Sequence, residues 1–371
     1  MSTRPEEMID RRRFLGFAAR TGGVAAAGLL APSILAACGS STKAGARSST
    51  TTAAGGASLG TWTYQLGNSW EAEFLGEAVA AQKGYFRQAG FSTVNLVPGS
   101  PSTSGETYVA THQGNVSITS GSVETASAVK QGLPVRIVAA HFQKSPQAVV
   151  SLAKNPITTP AQLAGKKIGV PPSVQTLFMG FLAANKIDSS SIKVVPISFD
   201  PTPLASGEVQ ALVGYSTNQA VVLDSKGFQT SVMLFNDFGY SQCADGLVVT
   251  TDTLQNDRDR LKAFLLADIM GWQTALPNLS SEVSYMVDTY GKTAGLDTSS
   301  QLLRAQAEAQ LMTSPTTRQN GLFTLTPDEI DQNMNTVAKS GISGLTSDQV
   351  FDFSALSEVY DSHPNLKNFS G

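Results

Sequence analysis

The sequence predicts an α/β fold of two lobes, each with its own core, and three observations point there. Short apolar runs alternate with amphipathic helical segments from about Leu59 to the C-terminus, the pattern of strands and helices taking turns in a layered fold. A body of that length can divide into two cores. The rhythm of strand, loop and helix also restarts near Pro156, as it does where a second unit begins.

In the first unit, Thr61 to Leu66 reads as a strand and Glu71 to Gln82 as a helix. Gly84 closes that helix as its C-cap, because glycine enters the left-handed conformation without a Cβ clash. Phe91 to Val97 is a second strand, ending at Pro98-Gly99-Ser100, and Val116 to Thr119 is a third. Ser120-Gly121-Ser122 forms the loop that opens the helix Val123 to Gln131, and Val135 to Phe142 is a fourth strand.

The second unit starts with Thr159 as an N-cap and Pro160 at the first helical position, with Gly165 ending the helix. Lys167 to Val170 is its first strand, followed by the turn Pro171-Pro172-Ser173-Val174-Gln175 and the helix Thr176 to Asn185. Lys193 to Phe199, Val209 to Val213 and Thr230 to Phe235 are the later strands, and Leu247 to Thr250 is a return strand. The helix Thr253 to Leu276 carries Leu254, Leu261, Phe264, Leu265, Ile269 and Trp272 on one face, a core face with no ligand role.

The N-terminal segment is of another kind. Arg11-Arg12-Arg13-Phe14-Leu15 precedes a Gly- and Ala-rich apolar stretch from Phe17 to Ala37 that stops at Cys38, the layout of a bacterial export signal. Arg20, Gly22, Gly23 and Pro32 interrupt the stretch too often for a spanning helix of roughly 20 apolar residues. Residues 39 to 58 are nearly all Ser, Thr, Gly and Ala with a few basic residues, a composition for a flexible tether. Residues 1–37 hold five arginines against Glu6, Glu7 and Asp10, so the remainder is more acidic than the whole-chain net charge of -3 and has no electrostatic footprint for nucleic acid. An acylated Cys38 would leave Cys243 without an intramolecular partner, so no disulfide framework is expected, and Cys243 is expected to be a buried small hydrophobe.

Several strings carry a resemblance: Ala81-Gln82-Lys83-Gly84-Tyr85-Phe86 with Gly90; Gly132-Leu133-Pro134-Val135; Leu163-Ala164-Gly165-Lys166-Lys167-Ile168-Gly169-Val170; and Leu204-Ala205-Ser206-Gly207-Glu208-Val209-Gln210-Ala211. In this order and spacing, from about Gly60 to Ile342, the chain resembles the SsuA/ThiY-like group of type II periplasmic binding proteins. That resemblance implies two Rossmann-like lobes joined by two crossings, placed near Ser151 and Gly246. The organisation is then a twin-arginine lipoprotein signal at 1–37, a tether at 38–58, lobe one at 59–151 plus 247–342, lobe two at 152–246, and an extension at 343–371 that either packs on lobe one or stays free. The signal resembles the twin-arginine type, and Leu35-Ala36-Ala37-Cys38 resembles a lipobox that would leave Cys38 lipidated. The implied protein is a monomer on the extracytoplasmic face of the bacterial membrane, working with an ABC permease and its ATPase subunits.

Ligands of such proteins lie between the lobes, where loops after strand ends and helix N-termini offer unpaired N–H groups. The candidate contacts in lobe one are Asn68, Ser69, Trp70, Glu73 and Phe74, then Ser120, Gly121 and Ser122, then Phe142 to Ser145. In lobe two they are Ser173, Gln175, Tyr215, Asn218 and Asp237 to Tyr240. Lys144 is the one cation among these positions, against Glu73 and Asp237, which disfavours a strong anion. Trp70, Phe74, Phe142 and Tyr215 are expected to stack on a planar heterocycle while Glu73, Asn218 or Asp237 bond its amines. A thiamine pyrimidine precursor is the first expectation, with riboflavin, an aliphatic sulfonate or nitrate as alternatives. No cofactor is expected, and no metal, because His112, His141 and His363 have no second histidine or cysteine at ligand spacing. Catalysis, as in a pyrimidine synthase sharing this fold, is not expected for want of a nucleophile motif or phosphate loop; a purely structural surface lipoprotein is the other alternative.

Overall fold

The structure is a computed structural model that describes residues 58–67, 69–100 and 103–369. The signal, Cys38 and all of the tether but Ser58 lie outside the described residues. Among the described residues, no helix is long and apolar enough to cross a membrane.

Among the described residues, ten strands make two sheets. β1 (Thr61–Gln65), β2 (Thr93–Val97), β3 (Val116–Thr119), β4 (Val135–Phe142) and β10 (Ala244–Thr250) belong to the first, in the order β2-β1-β3-β10-β4. β5 (Gln147–Leu152), β6 (Lys167–Val170), β7 (Lys193–Pro196), β8 (Ala211–Tyr215) and β9 (Thr230–Leu234) form the second, in the order β7-β6-β8-β5-β9. β1 pairs in parallel with β2 and β3, and β6 with β7 and β8. β10 and β5 run antiparallel to both of their neighbours. These are the strands that follow the two passages between lobes, and both are buried along their whole length. This is the α/β architecture the sequence predicts.

The passages themselves fall earlier in the chain than Ser151 and Gly246. Ser151 pairs with Ala211 and Ser231 inside the second sheet, and Gly246 pairs with Thr119 and Ala140 inside the first. The chain therefore passes between sheets at residues 143–146 and 239–243. The apolar cores of Gln147–Leu152 and Ala244–Thr250 are read more naturally as central strands, covered on both faces, than as linkers.

Lobe one is held by two helices laid backbone to backbone. Helix Leu75–Lys83 meets helix Arg258–Ala275 where a Cβ at Gly76 would come within 2.1 Å of the Trp272 ring and one at Gly271 within 2.1 Å of the Gly76 carbonyl. Only glycine permits that approach. Leu261, Phe264, Leu265, Ile269 and Trp272 are buried, as their spacing predicts, although Asp257 breaks the expected single helix into Thr251–Asn256 and Arg258–Ala275. Gly84 takes the left-handed C-cap conformation at φ 73°, and Thr159 forms a capping box before Pro160.

The described part of the C-terminal extension packs. Ile137 N–H donates to the Val350 carbonyl at 2.9 Å, and Asp352 N–H to the Ile137 carbonyl at 2.8 Å, so the chain covers the free edge of β4. Leu356, Val359 and Tyr360 of helix Ser354–Ser362 join the core of lobe one, and the Tyr360 hydroxyl donates to the Leu322 carbonyl at 2.9 Å.

Candidate ligand-binding cleft

Parallel pairing brings the ends of β1 and β2 side by side, so the loops after them touch. A Cβ at Gly99 would lie 1.7 Å from the Gly67 carbonyl, which is why the turn after β2 needs glycine. The loop after β1 then leads through Glu71 and Glu73 into helix Leu75–Lys83.

Those two glutamates meet a cation that the sequence reading passed over. Arg304, on helix Thr298–Met312, pairs with Glu71, lies 3.8 Å from Glu73 and 3.3 Å from Glu308 one turn on, and its side chain is only 5% exposed. Asp245, near the start of β10, completes the group: it is buried, it stands at φ 50°, and its Oδ2 has no protein partner. A buried non-glycine residue in the left-handed region is strained, and such strain gathers at functional positions. Glu308 Oε2 and Arg304 Nε are likewise buried without a partner. The group has one guanidinium against four carboxylates.

Electrostatics follow from that imbalance. Burial pushes the Glu73 carboxyl well above its ordinary range, Asp245, Glu71 and Glu308 push it further, and Arg304 pulls it back. Asp245 is raised by burial and then by Glu308. Glu308 is raised to about 7, by burial first, with Arg304 opposing. Burial alone would lower Arg304, but Glu308, Glu71 and Glu73 hold it above its ordinary value. Charged groups out of water need compensation, and Arg304 supplies only part of it.

Lobe two faces this group with Tyr215, at the end of β8. Its phenol is raised by burial and then by Asp245, Glu73 and Glu124, while the nearby Gln147 side chain acts the other way. The Tyr215 N–H donates to Gln219 Oε1 at 2.6 Å, and Gln219 Nε2 donates to the Phe199 carbonyl at 3.1 Å, fixing the turn Ser216–Ala220. Helix Thr298–Met312 packs directly on that turn, so Arg304 sits on a helix spanning the lobe boundary.

The two passages are bonded side by side. Ser145 N–H donates to the Gln242 carbonyl at 3.1 Å, Gln242 Nε2 donates to Gln147 Oε1 at 3.0 Å, and Gln242 Oε1 accepts from the Val123 N–H at 3.4 Å. Gln147 Nε2 and Thr217 Oγ1 are buried without a partner. A cavity of about 380 Å³ lies alongside, lined by Glu106, Val123 and Glu124 of lobe one and Thr176 and Leu177 of lobe two. Glu124, raised to about 7 mainly by burial, both lines this cavity and acts on Tyr215.

Of the sequence-predicted positions, Glu73 and Tyr215 come together. Ser122 is buried with its Oγ unpartnered, Gly121 packs where a Cβ would lie 2.8 Å from Gln242 Oε1, and Asn218 is half-buried in the turn after β8. The stacking role expected for three aromatics is corrected. Phe74 and Phe142 are buried in the core of lobe one, and Trp70 stacks on Tyr290 at 4.0 Å between centroids. Their spacing on the first helix and at the strand end reflects core packing. Ser120, Lys144, Gln175 and Asp237 are exposed, and Tyr240 is buried against Ser340, oxygen to oxygen at 2.5 Å. Ser173 sits in the turn Pro172–Val174, and Asn68 lies outside the described residues. Sequence reasoning missed Asp245, Arg304, Glu308, Gln147 and Gln242. The one available signal was the Arg304/Glu308 spacing of four on a helix, and nothing in it says which way that helix faces.

A family model described as NMT1/THI5 like matches residues 71–278. The chain belongs to that family. The chain is 25% identical over 210 residues to the riboflavin-binding protein RibY of Chloroflexus aurantiacus, an alignment of 56% of this chain and 60% of RibY. The chain thus matches 60% of that relative's length. Among solved structures, the periplasmic aliphatic sulphonate binding protein SsuA of Escherichia coli superposes with a TM-score of 0.58 at 12% identity, over 75% of this chain and 90% of that one. The desulfurization enzyme DszB, solved with biphenyl-2-sulfinic acid, superposes at 0.56 with 16% identity, over 82% and 100%. At those identities the likeness is one of fold, and the neighbours with this fold include a binding protein and an enzyme.

Proposed function

We propose that this NMT1/THI5-like chain is the extracytoplasmic solute-binding component of an ABC importer and that its ligand is an uncharged, donor-bearing planar heterocycle of the flavin class. The observation that carries the reading is the group of four carboxylates around Arg304 facing Tyr215 across the lobe boundary. A sulfonate or nitrate would find the one guanidinium already engaged by Glu71 and Glu308. An isoalloxazine ring offers an imide N–H, and its ribityl chain offers hydroxyls, to Asp245 Oδ2 and Glu308 Oε2. The similarity to RibY supports the flavin over the aminopyrimidine that the sequence reading put first.

Binding rather than catalysis fits the chemistry of the cleft. Cys243, the one described cysteine, is buried with its thiol pushed up to about 12 by burial, so it is no thiolate nucleophile. Export by the twin-arginine route and a lipid on Cys38 remain part of the proposal, and mass analysis of the membrane-extracted chain tests the lipid.

The deciding experiment is calorimetric titration of the protein with riboflavin, an aminopyrimidine thiamine precursor, an alkanesulfonate and nitrate. A ligand at 100 times its dissociation constant adds about 2.7 kcal/mol of stability, so a parallel thermal-shift series gives an independent reading. Riboflavin binding that Asp245→Asn weakens at least tenfold is the expected result. Binding of an alkanesulfonate alone would overturn the charge argument, and binding of the aminopyrimidine alone would restore the thiamine-precursor reading.

A further inference from the structure

A second group of ionisable side chains lies within the core of lobe one, near enough to the first for Glu77 to act on Asp245. Glu77 projects from helix Leu75–Lys83, His141 from β4 and Asp268 from helix Arg258–Ala275, and their relative exposures are 0%, 1% and 0%. One donor atom from each lies within 4.8 Å of the other two, and His141 Nε2 is 3.1 Å from Asp268 Oδ2. Both oxygens of Glu77, Asp268 Oδ1 and His141 Nδ1 have no hydrogen-bond partner. The Tyr64 hydroxyl, also buried, approaches Glu77 without completing a bond of good geometry. Aromatic rings close the surroundings: Phe323 lies 4.5 Å and Trp272 6.0 Å from the His141 ring, centroid to centroid.

Buried polar atoms in native proteins are almost always satisfied, and a core that leaves four donor or acceptor atoms of one cluster unmatched needs something to match them. We propose that Glu77, His141 and Asp268 bind one divalent transition-metal ion, of which zinc is the test case. Two carboxylates and a neutral imidazole balance a doubly charged ion, leaving the core with no net charge, which a region of low polarity demands. Nitrogen and oxygen donors of this kind suit zinc at about 2.0–2.2 Å. Tetrahedral donors at that distance stand about 3.3 Å apart, close to the His141–Asp268 separation. The Tyr64 hydroxyl is the nearest further oxygen. A sealed site of this sort takes its metal as the chain folds, and metal binding then contributes to folding itself. No sequence spacing reveals it, because the three residues come from a helix, a strand and a second helix far apart in the chain.

The competing arrangement is also neutral: Glu77 keeps a proton, and His141 and Asp268 share another. Glu77→Gln separates the two, because an amide imitates the protonated carboxyl in shape and hydrogen bonding but is a poor zinc ligand. The full chain would be unfolded in denaturant, refolded with zinc or with EDTA, and analysed for bound metal and melting temperature. The metal reading expects one equivalent of zinc that survives native dialysis against EDTA, a melting temperature at least 5 °C lower after refolding in EDTA, and less than 0.1 equivalent in Glu77→Gln. Refolding with Co²⁺ should give the visible absorption of a four-coordinate site, which His141→Gln should abolish, keeping the test open if Glu77→Gln fails to fold. Asp237→Ala, which alters an exposed side chain, serves as the control for adventitious binding and should retain the zinc. No bound metal after refolding with zinc, with Glu77→Gln as stable as the parent chain, would overturn the proposal in favour of the shared protons.

Discussion

Lobe one contains two carboxylate-rich groups, and they are solved differently. At the cleft, Glu71, Glu73, Glu308 and Asp245 surround Arg304, a cation the chain supplies itself. In the core, Glu77 and Asp268 have only His141, whose own burial lowers its affinity for a proton. The first group faces Tyr215 of the second lobe, so a ligand's donors can meet the remaining acceptors. The second is enclosed by Phe323 and Trp272, so whatever neutralises it has to be built in when the chain folds. Burial alone therefore does not mark a binding cleft; what distinguishes one is unmatched polarity at a boundary between movable parts.

The largest effect expected is from Arg304→Met. Removing the only guanidinium leaves three neighbouring glutamates uncompensated, and unfolding in urea should show a loss of about 3–5 kcal/mol. A loss under about 1 kcal/mol would mean that these carboxyls already hold protons, and the contrast with the core group would disappear.

Next comes the pH response of Glu308. Its carboxyl rises from 4.5 to about 7 on folding, so between those values the folded chain holds a proton that the unfolded chain has released. Stability from this group is complete below pH 4.5 and declines as pH climbs to about 7, by roughly 2–3 kcal/mol. Glu308→Gln should remove that decline, so the stability difference between variant and parent should grow in the variant's favour over this window. A difference that stays flat from pH 4.5 to 7 would show that Arg304 keeps Glu308 ionised.

Tyr215→Ala should weaken flavin binding by about 1–3 kcal/mol by calorimetry, with a much smaller effect on stability because the ring is only half-buried. Unchanged affinity would remove Tyr215 from the cleft. The smallest effect is expected from Asp237→Ala, which alters an exposed side chain and should move both affinity and stability by less than about 0.5 kcal/mol. A tenfold loss of affinity there would show that the ligand reaches the turn Phe235–Phe238, and the cleft would then extend well beyond the Arg304 group.

Much of the fold was legible before the structure. The strand Val116–Thr119, the strand Val135–Phe142 and the capping signals at Gly84 and Thr159 lie where local pattern puts them. Gln147–Leu152, buried along its whole length, escaped notice as a strand. The candidate site was less legible. Glu73 and Tyr215 were placed by following strand ends, but the same rule swept in Phe74 and Phe142, whose rings turn into the core.

By itself, the sequence determined the alternation of strands and helices, the places where helices start and stop, and the net negative charge of the chain. These are local or summed properties, and local sterics and composition suffice to specify them. Only the tertiary structure decided that Arg304 meets glutamates more than 230 positions away, that Asp245 is held strained beside them, and that Glu77, His141 and Asp268 converge in one core. Each of those facts depends on which face of an element turns inward, and that is chosen by packing across the whole lobe rather than by any stretch of neighbouring residues.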